Sequence, residues 1–205
     1  MPKKEKITQM PTQQQPASTT ATAEAKEPVA LLRLDLGAGQ NKRQGFTGVD
    51  IWEGSDIVWD LFKFPWPFDD NSVEEISMSH FFEHIPAKLR GTLMDEAYRI
   101  LIDNGKMTVI SPYFSSMRAI QDYTHEWPPV CEASFLYFNK GWRDVNKLTH
   151  HLYKLKCDFD FNYGYVLDPD TQNRALATQN FWVKHYVQAV MDIQVTLTKR
   201  PAVAQ

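Results

Sequence analysis

The stretch Leu31-Leu-Arg-Leu-Asp35-Leu-Gly37-Ala-Gly39, followed after six residues by Phe46-Thr-Gly-Val-Asp50, decides the fold of this chain. Leu31, Leu32, Leu34 and Leu36 read as a buried strand that runs into a glycine turn, where backbone can approach a ligand closely. Phe46 and Val49 belong to a second strand that delivers the Asp50 carboxylate at its carboxyl end. In open parallel sheets the ligand crevice lies outside the carboxyl ends of the strands, and an acidic residue after the second strand commonly binds a ribose diol. The arrangement therefore points to a nucleoside-containing cofactor. It is not the dinucleotide pattern, because no third glycine follows Gly39, and Asn41-Lys-Arg-Gln-Gly45 is a poor start for a pyrophosphate-binding helix. The plain alternative is an ordinary strand-to-loop turn.

The alternation continues downstream. The turn Asp69-Asp70-Asn71-Ser72 announces a strand on Val73, Ile76 and Met78. Leu89, Leu93, Ala97, Ile100 and Leu101 recur at helical spacing, so Ala87 to Leu101 is predicted to be an amphipathic helix, stopped by Asp103-Asn104-Gly105. Met107, Val109 and Ile110 form the next strand. Leu152 to Phe161 and Ile193 to Lys199 alternate like strands, with a helix expected near Asn180 to Met191. Such alternation predicts an α/β domain with a mainly parallel sheet. Only Gly37 to Gly45 separates the first two strands, less than the dozen or so residues of a normal crossover. The helix there is expected to be one turn or absent, and Asp56 to Asp60 a short, poorly paired strand.

A chain of 205 residues can bury a real core in one domain. Met1 to about Pro28 is rich in Thr, Gln, Ala and Pro and almost free of large apolar residues, so residues 1–28 are expected to be a disordered tail before a domain over 29–200. A net charge of −3 does not advertise a phosphate-neutralising face, so nucleic acid is not indicated as a partner. No stretch approaches the roughly 20 apolar residues of a membrane span. With no secretory or transit signal and two cysteines without metal spacing, a cytoplasmic protein with reduced thiols is expected.

As an ordered series, Leu34-Asp-Leu-Gly-Ala-Gly39, Gly45-Phe-Thr-Gly-Val-Asp-Ile51, Asp56-Ile-Val-Trp-Asp-Leu61, Pro65-Trp-Pro-Phe68 with Asp69 to Ile76, and Ser79-His-Phe-Phe-Glu-His-Ile-Pro86 resemble a class I S-adenosylmethionine-dependent methyltransferase, in particular a compact subgroup with a short first crossover. The resemblance covers Leu31 to Tyr113 well, continues more loosely through Ile120 to Trp127, and fades after Trp142. It implies a Rossmann-like sheet with helices on both faces, an antiparallel carboxyl-terminal strand and S-adenosyl-L-methionine as cofactor. It also implies that Asp35 anchors the glycine turn or meets the cofactor's ammonium, while Gly37, Ala38 and Gly39 lie against its methionine part. Asp50 would hold the ribose hydroxyls, with Ile51 beside it. Asp60 and the backbone N–H of Leu61 would meet the adenine, which Trp59 and Phe62 could flank. His80, at the fourth-strand tip, would approach the methionine. Tyr113, Asp122 and His125 follow the fifth strand, where related enzymes place acceptor-site residues, and His125 is the first candidate for a base.

His80-Phe-Phe-Glu83-His84 also matches the H-x-x-E-H pattern of inverted zinc peptidases. That chemistry needs both histidines on one long helix, and Pro86 disrupts a helix begun at His80. No metal is therefore expected from this pattern, Glu83 and His84 being read as orienting the turn, and His150-His151 as structural. A zinc hydrolase is the third reading, behind a methyltransferase fold retained as a non-catalytic binding or scaffolding module. The methyl acceptor is not specified by the sequence, a small molecule or sugar being favoured. Ser79-His80-Phe81-Phe82 replaces the Asn/Asp-Pro-Pro-Tyr element of amino-directed DNA methylases, and no Pro-Cys nucleophile is present.

Overall fold

The computed structural model describes residues 31–148 and 155–201. The expected tail over residues 1–28, His150-His151 and the start of the Leu152 strand lie outside the described residues. Seven strands, β1 (Leu32–Leu36), β2 (Thr47–Asp50), β3 (Ile57–Val58), β4 (Val73–Ser79), β5 (Leu101–Pro112), β6 (Phe159–Leu167) and β7 (Val190–Lys199), form one sheet in the order β3-β2-β1-β4-β5-β7-β6. The pairs from β3 through β5 are parallel, and β7 is antiparallel to both β5 and β6. This is the Rossmann-like order of the class I methyltransferase fold. The chain winds outward from β1 to β3 and then returns to place β4 on the other side of β1. The switch point, where such sheets open a ligand crevice, therefore lies between β1 and β4.

The central strands are covered on both faces: Leu34, Asp35 and Leu36 of β1 and Ile76, Ser77 and Met78 of β4 are all buried. That explains the continuous apolar run in place of strict alternation. Leu31 and Leu32 are the exception, because they enter the sheet at its rim and remain exposed. The core continues through Val49, Met107, Val109, Ile193, Val195 and Leu197. Helix α1 (Ala87–Ile100) packs Leu93, Met94, Ala97 and Ile100 into it.

The Gly37 to Gly45 connection forms no helix, as its length requires. Three carboxylates hold it instead: Asp35 accepts from Arg43 N–H at 2.8 Å, Asp50 from Gly39 N–H at 2.9 Å, and Asp56 from Lys42 Nζ at 2.7 Å. Asp56 also accepts from Gly48 N–H at 2.7 Å, which joins the short β3 arm to β2. The Lys42 hydrogen bond, followed by that of Gly48, holds its carboxyl below the usual aspartate range.

Three boundaries differ from the sequence reading. Helix α1 passes at Leu101 straight into β5, and Asp103-Asn104-Gly105 lies inside that strand as a bulge, with Asn104 at φ 63°. The register shows the insertion, because Val73 pairs with Leu101 but Glu75 with Lys106. Of the strand expected over Leu152 to Phe161, the described residues 155–158 are not strand; β6 begins at Phe159 and extends to Leu167, because its partner β7 reaches that far. The helix expected to run to Met191 ends at His185, and Val190 opens β7.

Candidate functional site

The glycine turn closes the switch-point end of β1. Gly37 and Gly39 have φ of 71° and 50°, the left-handed region that disfavours side chains. Gly37 N–H continues the ladder by donating to Val49 O at 2.9 Å. The Phe81 ring from the segment after β4 packs directly over Gly37, and Phe62 stacks on Phe81 with centroids 6.0 Å apart. Gly39 by contrast faces open space.

Asp50 stands at the end of β2 with both oxygens engaged by backbone, Oδ2 by Gly39 N–H and Oδ1 by Trp52 N–H at 3.0 Å. Each carboxylate oxygen retains a further lone pair for a hydroxyl. Ile51, next in sequence, is 69 % exposed although strongly apolar, and Trp52 and Phe62 are also exposed. Asp60 accepts from Phe62 N–H at 3.0 Å, and Leu61 is buried with its carbonyl taken by Trp66 Nε1. Asp35 is buried and committed through Oδ2 to Arg43 N–H. Of the cofactor-side residues named from sequence, the fold thus gathers Asp35, Gly37, Ala38, Gly39, Asp50, Ile51, Asp60 and Leu61 around the ends of β1 to β3, and places His80 at the end of β4. Pro65-Trp66-Pro67-Phe68 is structural: Trp66 is buried, its N–H donates to Glu96 at 2.6 Å, and Arg99 binds the Trp66 and Phe68 carbonyls.

His80 has φ 54°, so no helix runs from it to His84; only Phe82–His84 forms a short 3₁₀ turn. The two histidines of the H-x-x-E-H pattern face different partners. His80 Nδ1 lies 3.4 Å from Glu83 Oε1, and that carboxylate raises the imidazole above its ordinary value against the opposing cost of burial. Arg118 and Asp192, paired at 2.9 Å, add their charges to the surroundings of His80. His84 Nδ1 instead meets Thr124 O at 3.3 Å and Thr124 Oγ1 at 3.1 Å.

In the loop after β5, His125 packs edge-on against His84, ring centroids 4.8 Å apart. Its Nδ1 meets Ala119 O at 3.2 Å, and its Nε2 lies 3.8 Å from Asp122 Oδ2. Asp122 is held low by the Thr124 hydroxyl and N–H. Tyr113 follows a different path. It is buried, and its phenol donates to Glu132 at 3.0 Å; Tyr165 donates to the same carboxylate. Burial pushes the Tyr113 hydroxyl well above its usual value. Glu132, Arg118 and Asp192 were not among the residues singled out from sequence; each meets its partner across long separations that leave no local pattern. Glu83 and His84 were read only as turn-orienting.

No protein-family model matches the sequence, and no curated protein matches it. Solved structures do match. An S-adenosylmethionine-dependent methyltransferase from Archaeoglobus fulgidus superposes with a TM-score of 0.56 at 16 % identity, over 83 % of this chain and 87 % of that one. One from Mesorhizobium loti gives a TM-score of 0.46 at 16 % identity, over 82 % of this chain and 91 % of the other. At 16 % identity the likeness to the Archaeoglobus fulgidus structure establishes the fold alone. The chain has the class I methyltransferase fold, as its motif series implies.

Proposed function

We propose that this protein is an S-adenosylmethionine-dependent methyltransferase acting on a small-molecule or sugar acceptor. The observation that carries the reading is Asp50: a carboxylate at the end of β2, fastened to the glycine turn through Gly39 N–H and bordered by exposed Ile51 and Phe62. A ribose diol on Asp50 would place an adenine toward Ile51 and the Asp60–Leu61 turn, and the methionine part toward Gly37, Gly39 and His80. The matched methyltransferase from Archaeoglobus fulgidus, which is S-adenosylmethionine-dependent, supports that cofactor.

Transfer from a sulfonium is an in-line displacement: the acceptor lone pair forms the new bond to the methyl carbon as the carbon–sulfur bond breaks, and its electrons stay on sulfur. The protein's task is alignment. Where the acceptor carries a proton, His125 is the group able to take it. The Ala119 carbonyl only accepts, so it fixes the hydrogen on Nδ1 and leaves the Nε2 lone pair free, 3.8 Å from Asp122 Oδ2. Glu83, through His80, links this acceptor wall to the cofactor side. Cys131 and Cys157 are both free thiols, which fits a cytoplasmic setting. Among the described residues no helix is long and apolar enough to cross a membrane.

The test is thermal unfolding with S-adenosylhomocysteine and, separately, NAD. A ligand at about 100 times its Kd stabilises by about 2.7 kcal/mol, or roughly 5–10 °C for a domain of this size. S-adenosylhomocysteine is expected to produce that shift and NAD none. No shift with either would favour a non-catalytic scaffold.

A further inference from the structure

We propose that Glu83, His84 and His125 form a binding site for a first-row divalent cation of the manganese-to-zinc series. The three residues come from the turn after β4 and from the loop that follows β5. A Glu83 oxygen and one nitrogen of each imidazole all lie within 4.8 Å of one another, the spacing of ligands around one ion. Among the described residues this is the only such cluster of three or more His, Cys, Asp or Glu side chains.

Two independent features show that the donors are prepared. Both imidazoles are held by Nδ1 on backbone carbonyls, His84 on Thr124 O and His125 on Ala119 O. A carbonyl accepts only, so each Nδ1 carries the hydrogen and each Nε2 presents a lone pair. Metal-binding histidines are oriented in this way, through the ring nitrogen that does not face the ion. Thr124 strengthens the arrangement: its hydroxyl donates to Asp122 at 2.7 Å while its oxygen faces His84 Nδ1. The second feature is Glu83 itself. It is 4 % exposed, and its Oε2 is buried with no hydrogen-bond partner. An unpartnered buried carboxylate oxygen is costly unless a cation answers it.

Two imidazoles and one carboxylate are borderline donors. They suit zinc, iron, cobalt, nickel or manganese better than magnesium or calcium, which prefer all-oxygen cages. This site shares only Glu83 and His84 with the H-x-x-E-H pattern; His80 is replaced by His125, brought in from 42 residues away along the fold. Three protein donors leave coordination positions open. An acceptor hydroxyl bound there would be acidified by the ion and would release its proton to solvent, since His125 Nε2, holding the ion, has no lone pair left to take it. That use rests on the proposed methyl transfer; cation binding does not, and is tested without cofactor or acceptor.

The experiment is calorimetric titration of Zn²⁺ into the metal-stripped full chain near neutral pH, with thermal unfolding alongside. The wild type is expected to bind one ion and to melt higher with it. Glu83→Gln, which keeps the shape and removes the charge, and His125→Ala are each expected to weaken binding about 100-fold or more, since even the groups that orient ligands are worth 10- to 100-fold. His185→Ala and Cys131→Ser, outside the cluster, are expected to bind as the wild type does. Absence of saturable binding by the wild type overturns the site, as does unchanged affinity in Glu83→Gln. Should His125→Ala fail to fold, the wild-type melting shift and Glu83→Gln still decide the matter.

Discussion

Replacing Gly37 by alanine is expected to destabilise the domain by about 2–5 kcal/mol: left-handed backbone costs an L-residue roughly 1–2 and overpacking typically 1–3. The physical cause is local and double. Gly37 sits at φ 71°, and a Cβ there would overlap the Phe81 ring. Phe81 is itself stacked with Phe62, ring centroids 6.0 Å apart, which limits its freedom to shift. Gly39→Ala is the informative contrast. Its φ of 50° carries a similar backbone cost, but nothing lies within 4 Å of the added carbon. Gly39→Ala should therefore melt close to the wild type, within about 1–2 kcal/mol, while its methyl group intrudes on the space assigned to the cofactor. Equal melting temperatures for Gly37→Ala and the wild type would show that the Phe81 packing is not what shapes the turn.

Arg90→Met is expected to have the second large effect. Arg90 is buried on α1, and its guanidinium donates to three carbonyls: Ile85 at 3.0 Å, Pro128 at 2.8 Å and Glu126 at 3.2 Å. Glu126 N–H in turn donates to Glu83 O at 2.8 Å. One side chain thus fastens the loop carrying His125 to the turn carrying Glu83 and His84. Hydrogen bonds to a charged group are worth about 1.5–3 kcal/mol each. With partial rehydration of the freed carbonyls, a net loss of roughly 2–4 kcal/mol follows, or about 5–15 °C in Tm. Arg90→Lys should recover little, since a single ammonium cannot span three carbonyls as the planar fork does. Thermal unfolding of the two variants checks both statements, and a lysine variant as stable as the wild type would contradict them.

Elements with a local physical signature were legible in the sequence. The apolar run into Gly37, the Val73 to Met78 strand and the helical spacing from Leu89 to Ile100 each depend on neighbouring residues, and each appears where it was expected. Asp103-Asn104-Gly105 shows where local reading stops. Its composition does signal a turn, and Asn104 does adopt a left-handed conformation. Whether that turn ends a helix or bulges a strand is decided by pairing with β4, which no window of residues contains. The same holds for the site. The position of Asp50 was legible because it follows from the end of a strand, where the structure puts it. The proximity of His125 to Glu83 was not, nor that of Arg118 to Asp192 across 74 residues. The H-x-x-E-H pattern drew attention to Glu83 and His84, but the left-handed His80 sends its first histidine elsewhere.

The central claim, that the crevice at the ends of β1, β2 and β4 holds an adenosyl sulfonium cofactor on Asp50, is tested most directly by calorimetric titration of S-adenosylhomocysteine into the wild type and Asp50→Ala. The variant also loses the hydrogen bonds from Gly39 and Trp52 N–H, so its folded state is verified by circular dichroism before titration. The account predicts one site per chain in the wild type. In the variant it predicts affinity lower by about tenfold or more, since each lost hydrogen bond is worth on the order of 1 kcal/mol. No saturable binding by the wild type, or a folded Asp50→Ala that binds just as tightly, would contradict it.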